Sequence, residues 1–220
     1  MPETRLGTPE IYQDLQHRLL TRGFAPGEKL MPSVLHGEYG CSANTVRDVL
    51  LQLSKVGLVE FEIQRGFRAR AVSVQKRSDI ARFRVLLEQE GAVASMRNGD
   101  LAWEAALAAA HHRLMHIEQQ FSRTPDTMPF VGIWSDAELA FHRTLLSECR
   151  LPPLLETFDS IYMQFRQQMV GLESNCVPSY FRSIVREHQA IVDAVTAKDE
   201  LALRGAIAAH QARHTIGADQ

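Results

Sequence analysis

At 220 residues, 45% of them hydrophobic, the chain is long enough to fold around two separate cores. No apolar run approaches the length of a bilayer crossing, and the opening Met-Pro-Glu-Thr-Arg lacks the apolar stretch of an export signal, so a cytoplasmic protein with no membrane contact is expected. The net charge of -2 excludes a chain that is basic throughout, yet it hides an asymmetry: residues 1–78 hold 11 Lys and Arg against 8 Asp and Glu, whereas 79–220 hold 13 against 18. Only the N-terminal part has a charge balance that suits phosphate. The cysteines, Cys41, Cys149 and Cys176, are odd in number and lack paired metal-ligand spacing, which argues against a disulfide framework or a cysteine zinc site and for ordinary buried or half-buried thiols.

After a loose arm over residues 1–8, Ile11, Leu15 and Leu19 recur every four residues and mark a first helix ending near Gly23. Pro26-Gly27 closes it, and Pro32-Ser33 opens a short helix in which Ser33 is placed to cap. Gly40 ends that helix. Ser42 then caps a second one, along which Val46, Val49, Leu50 and Leu53 share a face and leave Ala43, Asn44, Arg47 and Gln52 to a partner. Gly57 stops it, residues 58–62 alternate as a strand, Gln64-Arg65-Gly66 turns, and residues 67–72 return as a second strand.

This order predicts a winged helix-turn-helix, whose second helix presents its N-terminal end to the DNA major groove. Asn44, Thr45 and Arg47 sit at that end, where Asn and Arg pair with base edges and Thr with phosphate or a methyl group. Arg65, Arg68 and Arg70 line the hairpin tip and return strand, well placed for phosphates. A solvated arginine face on an unrelated small domain would not explain the order, spacing and charge together.

The runs Pro26-Gly27-Glu28-Lys29-Leu30, Gly40-Cys41-Ser42-Ala43-Asn44-Thr45-Val46-Arg47-Asp48-Val49-Leu50, Gly57-Leu58-Val59 and Arg65-Gly66 look like the winged head of GntR-type transcription regulators. The resemblance covers the first third of the chain and implies a double-stranded DNA operator as partner. The DNA-facing set is then Ser42, Asn44, Thr45, Arg47, Arg65, Gly66 and Arg68. Ser33 and Ala43 stand where members of the family often carry arginines that touch DNA.

The head is expected to span residues 1–74, with the polar, basic segment 75–78 as linker and Ser78 as the next cap. Beyond it helical patterning dominates, so the fold class is mostly α: a winged head followed by an all-α bundle over 79–220. The predicted helices cover 79–97, 101–121, 132–148, 154–171, 179–197 and 200–215, with breaks at Asn98-Gly99, Pro152-Pro153, near Pro178 and at Lys198-Asp199.

Within the bundle, Glu138 and His142 lie four apart on one helix, and His188 and His210 fall on the last two. Imidazole and carboxylate are ligands for a divalent transition metal, and bundles build such sites from facing helices. Spacing alone carries little weight, because His112 and His116 are also four apart and read, with His111, as a partly exposed face. Arg84, with Glu88 four residues on, reads equally as an ion pair on a solvated face.

Phe141-His142-Arg143 with Glu138 before it, the run from Glu187-His188-Gln189 to Asp193-Ala194, Asp199 and His210 together resemble the FCD ligand-binding domain of the FadR branch of GntR regulators. That resemblance implies a metal, zinc foremost with nickel or manganese as alternatives, on Glu138, His142, His188 and His210, the family's usual Asp being replaced by Glu138. It further implies a small organic acid effector near the metal, with Arg84 as its expected anion partner, and a homodimeric, repressor-type regulator of a palindromic operator. Two other readings stay open: a metal-dependent hydrolase, and a regulator whose body holds a lipid-like ligand without metal.

Overall fold

The computed structural model describes residues 6–171 and 177–215; Cys176 and the first five residues of the expected arm lie outside them. In the head, helix α1 (Thr8–Leu20) buries Ile11, Leu15 and Leu19, as their spacing requires. Strand β1 (Lys29–Leu30), helix α2 (Pro32–Tyr39), helix α3 (Ala43–Lys55) and strands β2 (Val59–Glu62) and β3 (Gly66–Ala69) follow. Ser33 does not cap α2: Met31 holds the cap position and Pro32 takes the first turn, where its missing N–H costs nothing. Gly40 ends α2 in the left-handed conformation at φ 60, and Ser42 Oγ accepts the Thr45 N–H at 3.1 Å to start α3.

Strand β3 lies between β1 and β2, antiparallel to both, with Glu60 opposite Arg68 and Phe61 opposite Phe67. Phe67 and Ala69 enter the core beside Leu50, Leu53 and Leu58, while Arg68 stays exposed on the other face. At two residues, β1 is too short for alternation to reveal it in the sequence.

The body consists of α4 (Val74–Asn98), α5 (Leu101–Phe121), α6 (Val131–Leu146), α7 (Pro152–Gly171), α8 (Pro178–Thr196) and α9 (Glu200–Ala212). Residues 75–78, expected as a linker, are instead the first turn of α4. The cap is Ser73, whose Oγ accepts the Lys76 N–H at 3.1 Å, and Ser78 is buried within the helix. Pro152, Pro153 and Pro178 sit in first turns rather than in the breaks, because a fixed φ suits that position and no donor is needed there. Asp100 and Asp199 cap α5 and α9 through the amides of Trp103 and Ala202, each at 2.9 Å. No helix among the described residues is long and apolar enough to cross a membrane.

Head and body have separate apolar cores and meet along one face of α7. Gln167 Nε2 donates to Leu58 O at 3.0 Å, Gln168 Nε2 to Ala71 O at 3.0 Å, and Ser160 Oγ to Val56 O at 3.3 Å; in return the Ser73 amide donates to Gln168 Oε1 at 2.9 Å. Between these contacts lies Gly57, at φ +80, where an added Cβ would stand 2.6 Å from the Gln164 side chain. Gly57→Ala should therefore cost about 1–2 kcal/mol through the left-handed backbone alone, seen as a lower denaturant midpoint. An unchanged midpoint would contradict this account of the junction.

Candidate metal centre and DNA-facing surface

The helical periodicity of α6 puts Glu138 and His142 on its inward face, and α8 and α9 bring His188 and His210 to the same point. The three imidazoles are packed ring to ring, with centroids 5.5 Å apart for His142 and His188, 5.4 Å for His142 and His210, and 4.5 Å for His188 and His210. One ligand atom from each of Glu138, His142, His188 and His210 lies within 4.8 Å of the others, and all four side chains are buried. Ligands at about 2.1 Å from a zinc ion are at most about 4.2 Å apart, so the cluster closes on an ion with shifts of under about 1 Å.

Each imidazole has a carboxylate at its Nδ1. His188 Nδ1 lies 3.0 Å from Glu118 Oε1, and His210 Nδ1 lies 3.2 Å from Glu187 Oε2. His142 Nδ1 lies 3.1 Å from Glu88 Oε2, close but off the line of a hydrogen bond. The three Nε2 atoms are buried without a hydrogen-bond partner. A carboxylate on Nδ1 favours the tautomer whose lone pair is on Nε2, which is the arrangement that metal-binding histidines adopt. The donor set therefore fits a divalent transition metal.

Glu138 is held from the opposite side. Arg166 donates to its Oε2, the Tyr162 hydroxyl lies 3.1 Å from the same oxygen, and Arg84 Nη2 stands 3.7 Å from Oε1. His142 Nε2 is 3.9 Å from that same Oε1, so Oε2 is taken up by Arg166 and Tyr162 while Oε1 faces both Arg84 and His142. Arg166 lies over Trp134, its guanidinium carbon 3.7 Å from the ring centre, and Trp134 Nε1 donates to Glu118 at 3.2 Å.

Arg84 and Glu88 form the expected i,i+4 pair, but on a buried face and not a solvated one; both are 0% exposed. Their burial follows from α4 crossing the centre of the body, which a local reading of an Arg-Glu spacing does not reveal. His111 is likewise buried, whereas His112 and His116 are exposed as foreseen. Sequence reasoning missed Arg166 and Tyr162 on α7, Glu118 on α5, and the pairing of Glu88 and Glu187 with histidines. Glu187, next to His188 in sequence, could have been suspected. Glu118 and Arg166 carry no local signal, because their partners are 70 and 28 residues away.

In the head, Ser42, Asn44 and Arg47 are exposed at the start of α3, and Thr45 is half-buried with its hydroxyl 2.9 Å from Ser42 Oγ. Arg65 is exposed at the wing tip and paired with Glu62 at 2.9 Å; Gly66 takes φ +81 in the turn. Arg68 donates to Gly27 O at 3.0 Å. Arg70 donates to Gly57 O at 2.8 Å and so holds the wing to the end of α3.

Burial pushes the Glu88 and Glu138 carboxyls up, but Arg84 and His142 for the first, and Arg166 and Arg84 for the second, outweigh it and hold both at about 2. Burial lowers His142 and His210, the latter further through its imidazole neighbours, and burial with Arg77 and Arg213 takes His214 to about 3. Bases depressed on folding bind protons more readily when unfolded. Stability of the metal-free protein should thus decline as pH falls below 6.5, the ordinary imidazole value, and on toward about 3 for His214. The carboxylates add a loss between 4.5 and about 2. The melting temperature of metal-free protein is expected to drop from pH 7 to pH 5; a constant or higher value at pH 5 would contradict the buried, neutral histidines.

Comparison with known proteins agrees with both halves. The family model for bacterial regulatory proteins of the gntR family matches residues 8–68, and that for the FCD domain matches residues 79–213. The chain is 29% identical over 188 residues to the HTH-type transcriptional regulator BphR of Paraburkholderia xenovorans (strain LB400), covering 86% of this chain and 75% of that one. It is 25% identical over 190 residues to the HTH-type transcriptional repressor GlaR of Escherichia coli (strain K12), covering 86% and 84%. Among solved structures, E. coli McbR/YncC shares the fold with a TM-score of 0.75 at 21% identity over 94% of this chain and 93% of that one. A putative GntR regulator from Rhodococcus sp. RHA1 gives 0.74 at 19% over 94% and 96%. These relatives are transcription regulators, not enzymes, and the chain belongs to the GntR family, with a winged helix-turn-helix head and an FCD domain behind it.

Proposed function

We propose that this chain is a metabolite-responsive, repressor-type regulator of the FadR branch that acts in the cytoplasm as a homodimer on a palindromic operator. Ser42, Asn44, Thr45 and Arg47 read or position the major groove, while Arg65, Gly66 and Arg68 approach the backbone. Two heads on half-sites about one turn apart would supply the base contacts that a single head lacks. The FCD domain holds a divalent transition metal, zinc foremost, on Glu138, His142, His188 and His210, and a small organic acid completes the ion's coordination beside Arg84.

The observation that carries this reading is the set of buried Nε2 lone pairs on three histidines whose Nδ1 atoms face carboxylates. A bound metal would supply a Lewis-acid anchor for the effector carboxylate. The chain's own residues orient the imidazoles, hold Glu138 and exclude water. Effector binding changes the operator affinity only if the two conformations of the head-body junction bind it differently. Helix α7 is the natural carrier, because Tyr162 and Arg166 reach the centre while Gln167 and Gln168 hold the head.

Metal analysis and operator titration test both halves. The protein, purified without a His-tag, is expected to take up one zinc per chain and to lose it in His188→Ala, and Arg47→Ala should weaken operator binding by about 1–3 kcal/mol. Zinc retained in His188→Ala, or unchanged operator binding in Arg47→Ala, would remove the corresponding half.

A further inference from the structure

The start of α4, the start of α8 and the C-terminal end of α9 enclose a cavity of about 370 Å³, whose polar lining is Arg77, Ser179, Tyr180, Ser183, Arg213 and His214. It is not part of the histidine centre, since none of Glu138, His142, His188 and His210 lines it. Phe165 packs against both His214 and Arg84, and Trp134 against both Tyr180 and Arg166, so an aromatic layer separates the two places. Among the described residues the lining holds no acidic side chain. Arg213 pairs with Glu187 from outside it and donates to Ser183 Oγ at 2.8 Å.

His214 is 3% exposed, and its Nδ1 is buried without a hydrogen-bond partner. Buried polar atoms in that state are rare, and a neutral imidazole with its proton on Nδ1 needs an acceptor there. Helix α8 begins at the same cavity with Val177 as its cap and no side-chain bond to its first amides, an end that favours negative charge. Donors thus converge from three helices: Arg77 from α4, Ser179 and the first amides from α8, Arg213 and His214 from the end of α9. A carboxylate has two oxygens to share among them, whereas a phosphate group offers at least three. The volume falls within the range of about 300–1,000 Å³ typical of small-ligand sites. We infer that this cavity is a site for a phosphate group, free or carried by a small organic molecule. Once bound, the group ties the first turn of α4 to α8 and α9. The Arg77 amide donates to Ser73 O at 3.0 Å, and the Ser73 amide holds Gln168 of α7, so the site adjoins the head-body junction.

The test is a calorimetric titration of full-length protein in phosphate-free buffer, with and without zinc, using glycerol phosphate, inorganic phosphate and acetate. Phosphate is expected to saturate at one per chain in either metal state and to bind at least about tenfold tighter than acetate. Glycerol phosphate binding tighter than inorganic phosphate identifies an organic phosphate as the occupant, and equal affinity identifies the free ion; both support the site. Affinity should fall in Ser179→Ala and by about tenfold or more in Arg77→Gln, with zinc uptake unchanged. Binding seen only with zinc would put the anion at the histidine centre, and binding abolished by Arg68→Ala would put it on the DNA-facing head; either overturns the inference. No saturable binding, acetate as tight as phosphate, or unchanged affinity in both folded variants would overturn it as well.

Discussion

Each imidazole at the centre of the helical domain faces a carboxylate at Nδ1, and this bracing is what makes three buried histidines a candidate metal centre. Without Glu88, Glu118 and Glu187 the rings would be free to choose either tautomer, and the Nε2 lone pairs would not converge. The arrangement is costly in isolation, because it takes ionised groups out of water. It persists because α4, α5, α6, α7, α8 and α9 all contribute a member, so each charge has a partner on a different helix. The body's apolar core, with Trp134, Phe141, Phe158 and Phe181 around the cluster, keeps water away and strengthens every pairing inside.

The same helix that braces the centre also carries the head. On α7, Tyr162 and Arg166 lie one turn apart and face Glu138, while Ser160, Gln164, Gln167 and Gln168 form a polar stripe along the wing and the end of α3. Most of these contacts pair amide and hydroxyl groups with backbone carbonyls, which can be exchanged for water at little net cost, and Met163 of the same helix adds an apolar contact to the head's core. A junction of that kind suits two arrangements of similar energy better than an apolar seam would.

Much of the head was legible from residue types. The capping serine Ser42, the apolar face through Val46, Val49, Leu50 and Leu53, and the glycines Gly40 and Gly57 are local signals, and they produced the elements they imply. Local competition explains the errors: two serines were available to cap α4, and the earlier one, Ser73, won. For the centre, the types of Glu138, His142, His188 and His210 were readable and their convergence was not, since it depends on how α6, α8 and α9 pack. Glu118 and Arg166 were invisible for the same reason. A lone carboxylate or guanidinium on a helix looks solvated until a partner from another helix is seen against it.

The central claim is that the three histidines present Nε2 to a single ion. The most direct measurement is anomalous diffraction at the zinc edge from crystals of zinc-loaded protein. The account predicts one peak per chain bounded by Nε2 of His142, His188 and His210 at about 2.0–2.1 Å, with Glu118 and Glu187 still at the Nδ1 atoms of His188 and His210. A peak elsewhere, or one ligated through Nδ1, would contradict it.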